Sequence, residues 1–336
     1  MRIVKSEAPV RIDLAGGTLD IPPLYLFHHP AITINMAIRI KARVVISLSR
    51  QTEVISRDQN ITARWDNPAH ISWFEYPRLE LMLRLIKSFN PTENIRVEID
   101  SEAPAGSGLG GSSVIAIALT AALARWVNHE LSKDELVEYA KSIETQTIKV
   151  PTGYQDYCAA VYGKIHAYEM GLNGKLKLTP LGSPAFHKEL ERHLLLVYAG
   201  VPHFSGTNNW ELFKRHIEGD KKTIDFFEKL TENAALMKEA LESEDISRVA
   251  EILNRDWITR KAMLPTMTTP EIERLLSETF KRGAFAARVC GAGGGGCVAL
   301  LIKPDKRGEL TGLIKEMNML AIPAKISEKG VSVEGQ

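Results

Sequence analysis

Pro104-Ala105-Gly106-Ser107-Gly108-Leu109-Gly110-Gly111-Ser112-Ser113 runs directly into an apolar segment of helical character. Its four glycines let backbone N–H groups converge on a ligand with no side chain in the way. A helix behind them adds partial positive charge at its first turn, so the loop reads as an anion site, most often one for phosphate. The bland alternative is a glycine-rich turn with serine as the helix cap. Ser112 and Ser113 sit where a hydroxyl could ligate Mg²⁺. No lysine lies between Lys87 and Lys133, which excludes a Walker A loop. Gly106, Gly108 and Gly111 fit G-x-G-x-x-G. A dinucleotide fold, however, wants the first glycine tight against a strand end, and Pro104 intervenes after Ile99.

Three other segments carry groups able to act on such an anion. In Ala8–Asp20, Arg11 lies on the polar face of a strand and Asp20 follows the Gly16-Gly17 turn. A guanidinium stabilises developing oxyanions, and a carboxylate there could accept hydrogen bonds from sugar hydroxyls. Glu144 lies on a helix opened by a Ser132–Glu135 capping box. In Pro151-Thr152-Gly153-Tyr154-Gln155-Asp156, the last residue precedes an apolar run that should be buried. A buried Asp156 needs a partner; near Arg11 it would stay ionised and could take a proton from an alcohol. Gly291–Gly296 holds five glycines between two apolar strands and suits close backbone approach to a ligand.

These groups need a scaffold, and the pattern supplies one. Strands are expected over Val4–Leu14, Ala31–Ser49, Val54-Ile55, Ile61–Trp65 and Ile95–Ile99, with a helix over Leu79–Phe89. Helical spacing follows from Ser112 to about Val127 and again from Ser132. Asn208–Ile217, Thr223–Leu241, Ile246–Met263 and Pro270–Arg282 read as four helices, with Gly283 suited to the last C-cap. Phe285–Cys290 and Cys297–Ile302 read as strands, Gly308–Met319 as a helix and Ala324–Ser327 as a closing strand. The expectation is an α+β chain of two domains, 1–188 and 189–336, joined near residues 184–192 around Pro184.

Composition narrows the function. The 336 residues carry 42 Lys and Arg against 41 Asp and Glu, with no basic run longer than two, which argues against nucleic-acid and membrane partners. The longest apolar stretch, Val114–Ala124, is interrupted by Thr120 and falls short of the roughly 20 residues of a membrane span. The first residues show no signal-peptide pattern, so a cytoplasmic protein is expected. Cys158, Cys290 and Cys297 have no C-x-x-C spacing and suggest buried thiols rather than a metal site.

In this order, the segments resemble the GHMP kinase superfamily, named for galactokinase, homoserine kinase, mevalonate kinase and phosphomevalonate kinase. The resemblance spans residues 8 to 297, and GSGLGGSS is its most specific part. It implies an N-terminal domain like ribosomal protein S5 domain 2, a ferredoxin-like C-terminal domain, and ATP and Mg²⁺ in the cleft between them. By that resemblance the ATP phosphate loop is Pro104, Gly106, Ser107, Gly108, Leu109, Gly110, Gly111, Ser112 and Ser113. Ser112 and Glu144 become Mg²⁺ ligands, Asp156 the catalytic base and Arg11 its partner. Asp20, Gly17, Thr18, Gln155, Gly293 and Gly294 fall on the acceptor side, and Ser205–Asn209 looks like a further acceptor-side loop.

Within the superfamily the chain looks like the D-glycero-D-manno-heptose 7-phosphate kinase branch, on the strength of Gly153-Tyr154-Gln155-Asp156 and Ala15-Gly16-Gly17 before Asp20. It departs from that branch at Thr18 and Leu19, where Gly and Thr are usual, and at Tyr154, where Lys is usual. The implied activity is ATP-dependent phosphorylation of the anomeric hydroxyl of a sugar or sugar phosphate. A galactokinase- or fucokinase-like sugar 1-kinase, a mevalonate-type kinase and a non-catalytic sugar-binding scaffold are the alternatives. The implied partner is a small-molecule sugar substrate; oligomeric state is not legible.

Overall fold

The first strand, β1 (Ile3–Ala15), alternates as expected but is covered on both faces, with every residue from Ala8 to Ile21 buried. The polar side of that alternation is buried too: Arg11 and Asp13 are 3% and 1% exposed. Both charges therefore need partners inside the protein. The computed structural model describes residues 2–200 and 206–335.

After β1 come α1 (Leu24–Phe27), β2 (Ala31–Leu48), β3 (Thr52–Ser56), β4 (Ile61–Trp65), α2 (Glu80–Phe89) and β5 (Ile95–Ser101). Then follow α3 (Gly111–Trp126), α4 (Lys133–Ile148), α5 (Gln155–Tyr162), β6 (Ile165–Met170) and β7 (Leu176–Pro180). α6 (Pro184–His193) leads into β8 (Leu194–Tyr198), α7 (Gly206–Ile217), α8 (Lys221–Glu242), α9 (Ile246–Met263) and α10 (Pro270–Phe280). The chain ends with β9 (Ala284–Val289), β10 (Cys297–Ile302), α11 (Arg307–Glu316), β11 (Leu320–Ile322) and β12 (Ser332–Gly335).

Two sheets organise these elements. The first has the order β12-β1-β2-β5-β3-β4, with β6 and β7 continuing from the other half of β2. The length of β2 makes this possible: Ala31–Met36 pairs with β6 and Ala42–Leu48 with β5. The second sheet has the antiparallel order β11-β8-β10-β9. α3 is apolar all round and buried along nearly its whole length, as a central helix must be. One apolar core runs from the first sheet through Phe227, Leu230 and Met237 of α8 to Ile252 and Leu253 of α9. A second core lies between the second sheet and Ile272, Leu275, Leu310 and Ile314.

Several expectations shift. A helix occupies the expected linker, because Ser183 caps α6 and Pro184 sits at its first position, where a missing N–H costs nothing. The closing strand is not at Ala324–Ser327. Ile326 makes a single bridge to Ile38, while Pro323 ends β11 and the tail resumes pairing only at β12, on β1. The last residues thus return to the first sheet. α10 stops at Phe280 and Gly283 lies in the turn beyond it at φ +115°. The three cysteines are buried and unpaired with one another.

Candidate active site

The segment before α3 forms a turn in which Gly106, Gly108 and Gly110 all have φ between +68° and +77°. Gly110 stands at the N-cap and no side chain caps the helix, so the serine-cap reading gives way and the first-turn N–H groups stay available. Ser112 is exposed, whereas Ser107 and Ser113 are buried. The loop is held from below by the glycine cluster between β9 and β10. The Cys297 N–H donates to the Ser107 carbonyl at 2.8 Å, and a Cβ on Gly108 would come within 2.5 Å of the Cys290 oxygen. Only glycine permits that approach. Further along that cluster, the Gly294 N–H donates to the Met267 carbonyl at 2.8 Å, and Gly293 packs on the same residue.

β1 delivers Arg11 and α5 delivers Asp156 to the edge of this loop. Arg11 Nε donates to Asp156 Oδ1 at 2.7 Å, and Nη1 donates to the Gly108 carbonyl at 2.5 Å. A Cβ on Gly110 would lie 3.1 Å from Asp156 Cγ, so the carboxylate rests against the start of α3. Burial pushes the Asp156 carboxyl up from 3.8 to about 6; Arg11 pulls it down, while Asp13 and Glu144 push it further up. Arg11 alone does not set its charge. Burial disfavours the Arg11 cation, but Asp13 and Asp156 together outweigh this and push its pKa up. Glu144, near the end of α4, is 5% exposed and accepts from the Tyr157 hydroxyl at 2.7 Å. Among the described residues its hydrogen-bond partner is that hydroxyl, a neutral donor. A buried carboxylate with a neutral donor for a partner fits a divalent cation such as Mg²⁺.

Across from the loop, Gly16, Gly17 and Thr18 turn the chain from β1 toward Asp20. Thr18 is held at φ +89°, a conformation rare for a β-branched residue, and its hydroxyl donates to Asn209 Oδ1 at 3.3 Å. Ser205 lies outside the described residues. Asp20 Oδ2 accepts the Tyr154 and Gln155 N–H groups at 2.5 and 2.8 Å, which anchors the N-terminus of α5. Gly153 allows this, since a Cβ there would sit 2.3 Å from Oδ2. Burial raises the Asp20 pKa against those two hydrogen bonds. Asp20 Oδ1 and Gln155 Oε1 are buried acceptors with no donor among the described residues. The Gln155 amide lies against Gly17.

Four charged residues of this region escaped the sequence reading: Asp13, Asp256, Arg260 and Arg288. Asp256 Oδ2 accepts from Arg260 Nε at 2.8 Å and from Arg288 Nη1 at 2.6 Å, and Arg260 Nη2 donates to the Gly17 carbonyl at 2.7 Å. The available signals were the i,i+4 spacing of Asp256 and Arg260 and the lone arginine in apolar β9.

Comparison with known proteins agrees with this geometry. The model of the GHMP kinases N-terminal domain matches residues 79–164 and that of the GHMP kinases C-terminal domain matches residues 237–311. The chain is 25% identical over 346 aligned residues to the D-glycero-alpha-D-manno-heptose 7-phosphate kinase of Campylobacter jejuni, covering 98% of each. It is 24% identical to the mevalonate kinase of Pyrococcus abyssi, over 99% of this chain and 98% of that one. The fold superposes on a D-glycero-D-manno-heptose 1-phosphate kinase from Bacteriodes thetaiotaomicron with a TM-score of 0.81 at 21% identity, over 98% of both chains. Among the described residues no helix is long and apolar enough to cross a membrane. A glycine loop opening a buried helix, a second glycine loop clamped beneath it and the two matched domains in order make this chain a member of the GHMP kinases, and an ATP-dependent kinase.

Proposed function

We propose that this kinase transfers the γ-phosphoryl group of ATP to the anomeric hydroxyl of a sugar or sugar phosphate, with a heptose 7-phosphate the leading candidate. The observation that carries the reading is the pair of buried acceptor oxygens, Asp20 Oδ1 and Gln155 Oε1, that have no donor among the described residues. A polyol supplies hydroxyl donors that would satisfy both. The similarity to a heptose 7-phosphate kinase supports the same choice.

Phosphoryl transfer passes through a loose transition state, so positioning and charge neutralisation dominate. The N–H groups of the Gly106–Ser113 turn bind the phosphates, and Arg11 stabilises charge on the transferring group. Asp20 and Gln155 orient the sugar. Asp156 is too weak a base to ionise an alcohol beforehand, so it accepts the hydroxyl proton late, as the new P–O bond forms. Ser112 and Glu144 would hold Mg²⁺, which when bound neutralises charge on the β- and γ-phosphates.

An ADP-release assay over free sugars, sugar phosphates and mevalonate, with phosphorus–proton NMR of the product, tests the reading. The product phosphate is expected to couple to the anomeric proton. Turnover confined to mevalonate, or a phosphate with no such coupling, overturns it. Asp20→Asn is expected to raise the sugar KM about tenfold or more, the cost of a weakened charged hydrogen bond, with ATP KM nearly unchanged.

A further inference from the structure

Asp13 has no part in that scheme, yet it lies where the parts of the scheme meet. Its Oδ1 is 3.0 Å from Arg11 Nε, the nitrogen whose proton points at Asp156 Oδ1. That oxygen makes no aligned hydrogen bond, so it attracts the guanidinium without taking the proton that Asp156 accepts. Its Oδ2 accepts the Gly291 N–H at 2.7 Å, with Arg288 Nη2 4.0 Å away. Gly291 opens the second glycine loop, where a Cβ would fall 2.8 Å from the Gly108 oxygen, the atom that Arg11 Nη1 also binds. One carboxylate thus holds the arginine beneath the phosphate loop with one oxygen and the supporting loop with the other. Asp156 and the Gly108 carbonyl already hold the arginine at two nitrogens; Asp13 adds a buried counter-charge at Nε.

We propose that Asp13 is a positioning residue of the phosphoryl-transfer site, fixing Arg11 against Asp156 and joining that arginine to the Gly291 loop. The inference rests on Asp156 being the group that takes the hydroxyl proton.

The test compares wild type, Asp13→Asn, Asp156→Asn and the double variant, each checked by thermal melting and ATP binding. Asparagine keeps an acceptor for the Gly291 N–H while removing the charge. Asp13→Asn is expected to lower kcat about 10²-fold, the scale of a small misalignment, with both KM values nearly unchanged. In the Asp156→Asn background it should change kcat little, because no base remains to align. An unaltered kcat in Asp13→Asn, or the same loss in both backgrounds as a merely structural role gives, overturns the inference. Wild-type turnover in Asp156→Asn alone overturns the base assignment and the inference with it. Should Asp13→Asn fail to fold, Asp13→Glu, which keeps the charge but displaces it, decides. A loss of kcat that largely disappears in the Asp156→Asn background supports the inference, and an unaltered kcat contradicts it.

Discussion

At Asp156, two forces of opposite sign meet and burial wins. Arg11 at 2.7 Å favours the carboxylate, but the desolvated setting with Asp13 and Glu144 nearby leaves its pKa at about 6, above the ordinary 3.8. The native state therefore binds this proton more tightly than the unfolded chain does. Its contribution to stability is full below pH 3.8 and is lost as the pH rises through about 6. The charge on Asp156 therefore works against folding at pH 7. Asp156→Asn is expected to melt with wild type at pH 3.5 and above it by several degrees at pH 7, Asp13 still balancing Arg11. Calorimetry across that range checks this; a deficit that grows toward pH 7 would mean that Arg11 outweighs burial. Asp156 was legible as a candidate because an Asp before an apolar run is costly to bury. Asp13 was not: its place on the same face as Arg11 looked like an exposed strand pattern, and only the packing of β1 on both sides shows otherwise.

Among the elements, local chemistry was the most legible. The Ser132–Glu135 capping box opens α4 as read, and α9 begins and ends at Ile246 and Met263 as its spacing predicts. β12 was not legible, because its pairing with β1 is decided by contacts more than 300 residues apart in the chain. The contact between α1 and α7 was equally hidden. His28 Nε2 and His216 Nε2 stand 2.7 Å apart, both rings buried, so one imidazole must donate and the other accept. Burial and the facing ring push His28 down to about 4, and burial lowers His216. With depressed values the contribution to stability is full above pH 6.5 and is lost as the pH falls through about 4. Amide exchange of α7 is expected to quicken between pH 7 and pH 4.5 beyond its intrinsic pH dependence, and His216→Phe should remove the excess. Equal protection at both pH values contradicts the pairing. Through Asn209 and Thr18 the same helix reaches the turn that follows β1.

For the whole molecule, the two sheets are joined by charge as well as by apolar packing. Asp156, Arg11, Asp13, Arg288, Asp256 and Arg260 alternate in sign along one buried chain from α5 through β1 to β9 and α9. Within it, Asp256 is the fully buried anion shared by two guanidinium groups. Asp256→Asn strips the anion from two guanidinium groups that are at most 5% exposed, and a loss of about 3–5 kcal/mol in urea unfolding is expected. A loss under about 1 kcal/mol would show that the network is solvated. In the proposed function this architecture places one carboxylate beside the glycine loop that opens α3, and that proposal has a direct measurement. Single-turnover rate and ATP Kd are determined side by side for wild type and Asp156→Asn on the substrate identified by ADP release. The account predicts an unchanged Kd with a rate reduced by about 10²–10⁴, the span of one acid–base group; a variant that keeps more than half of the wild-type rate contradicts it.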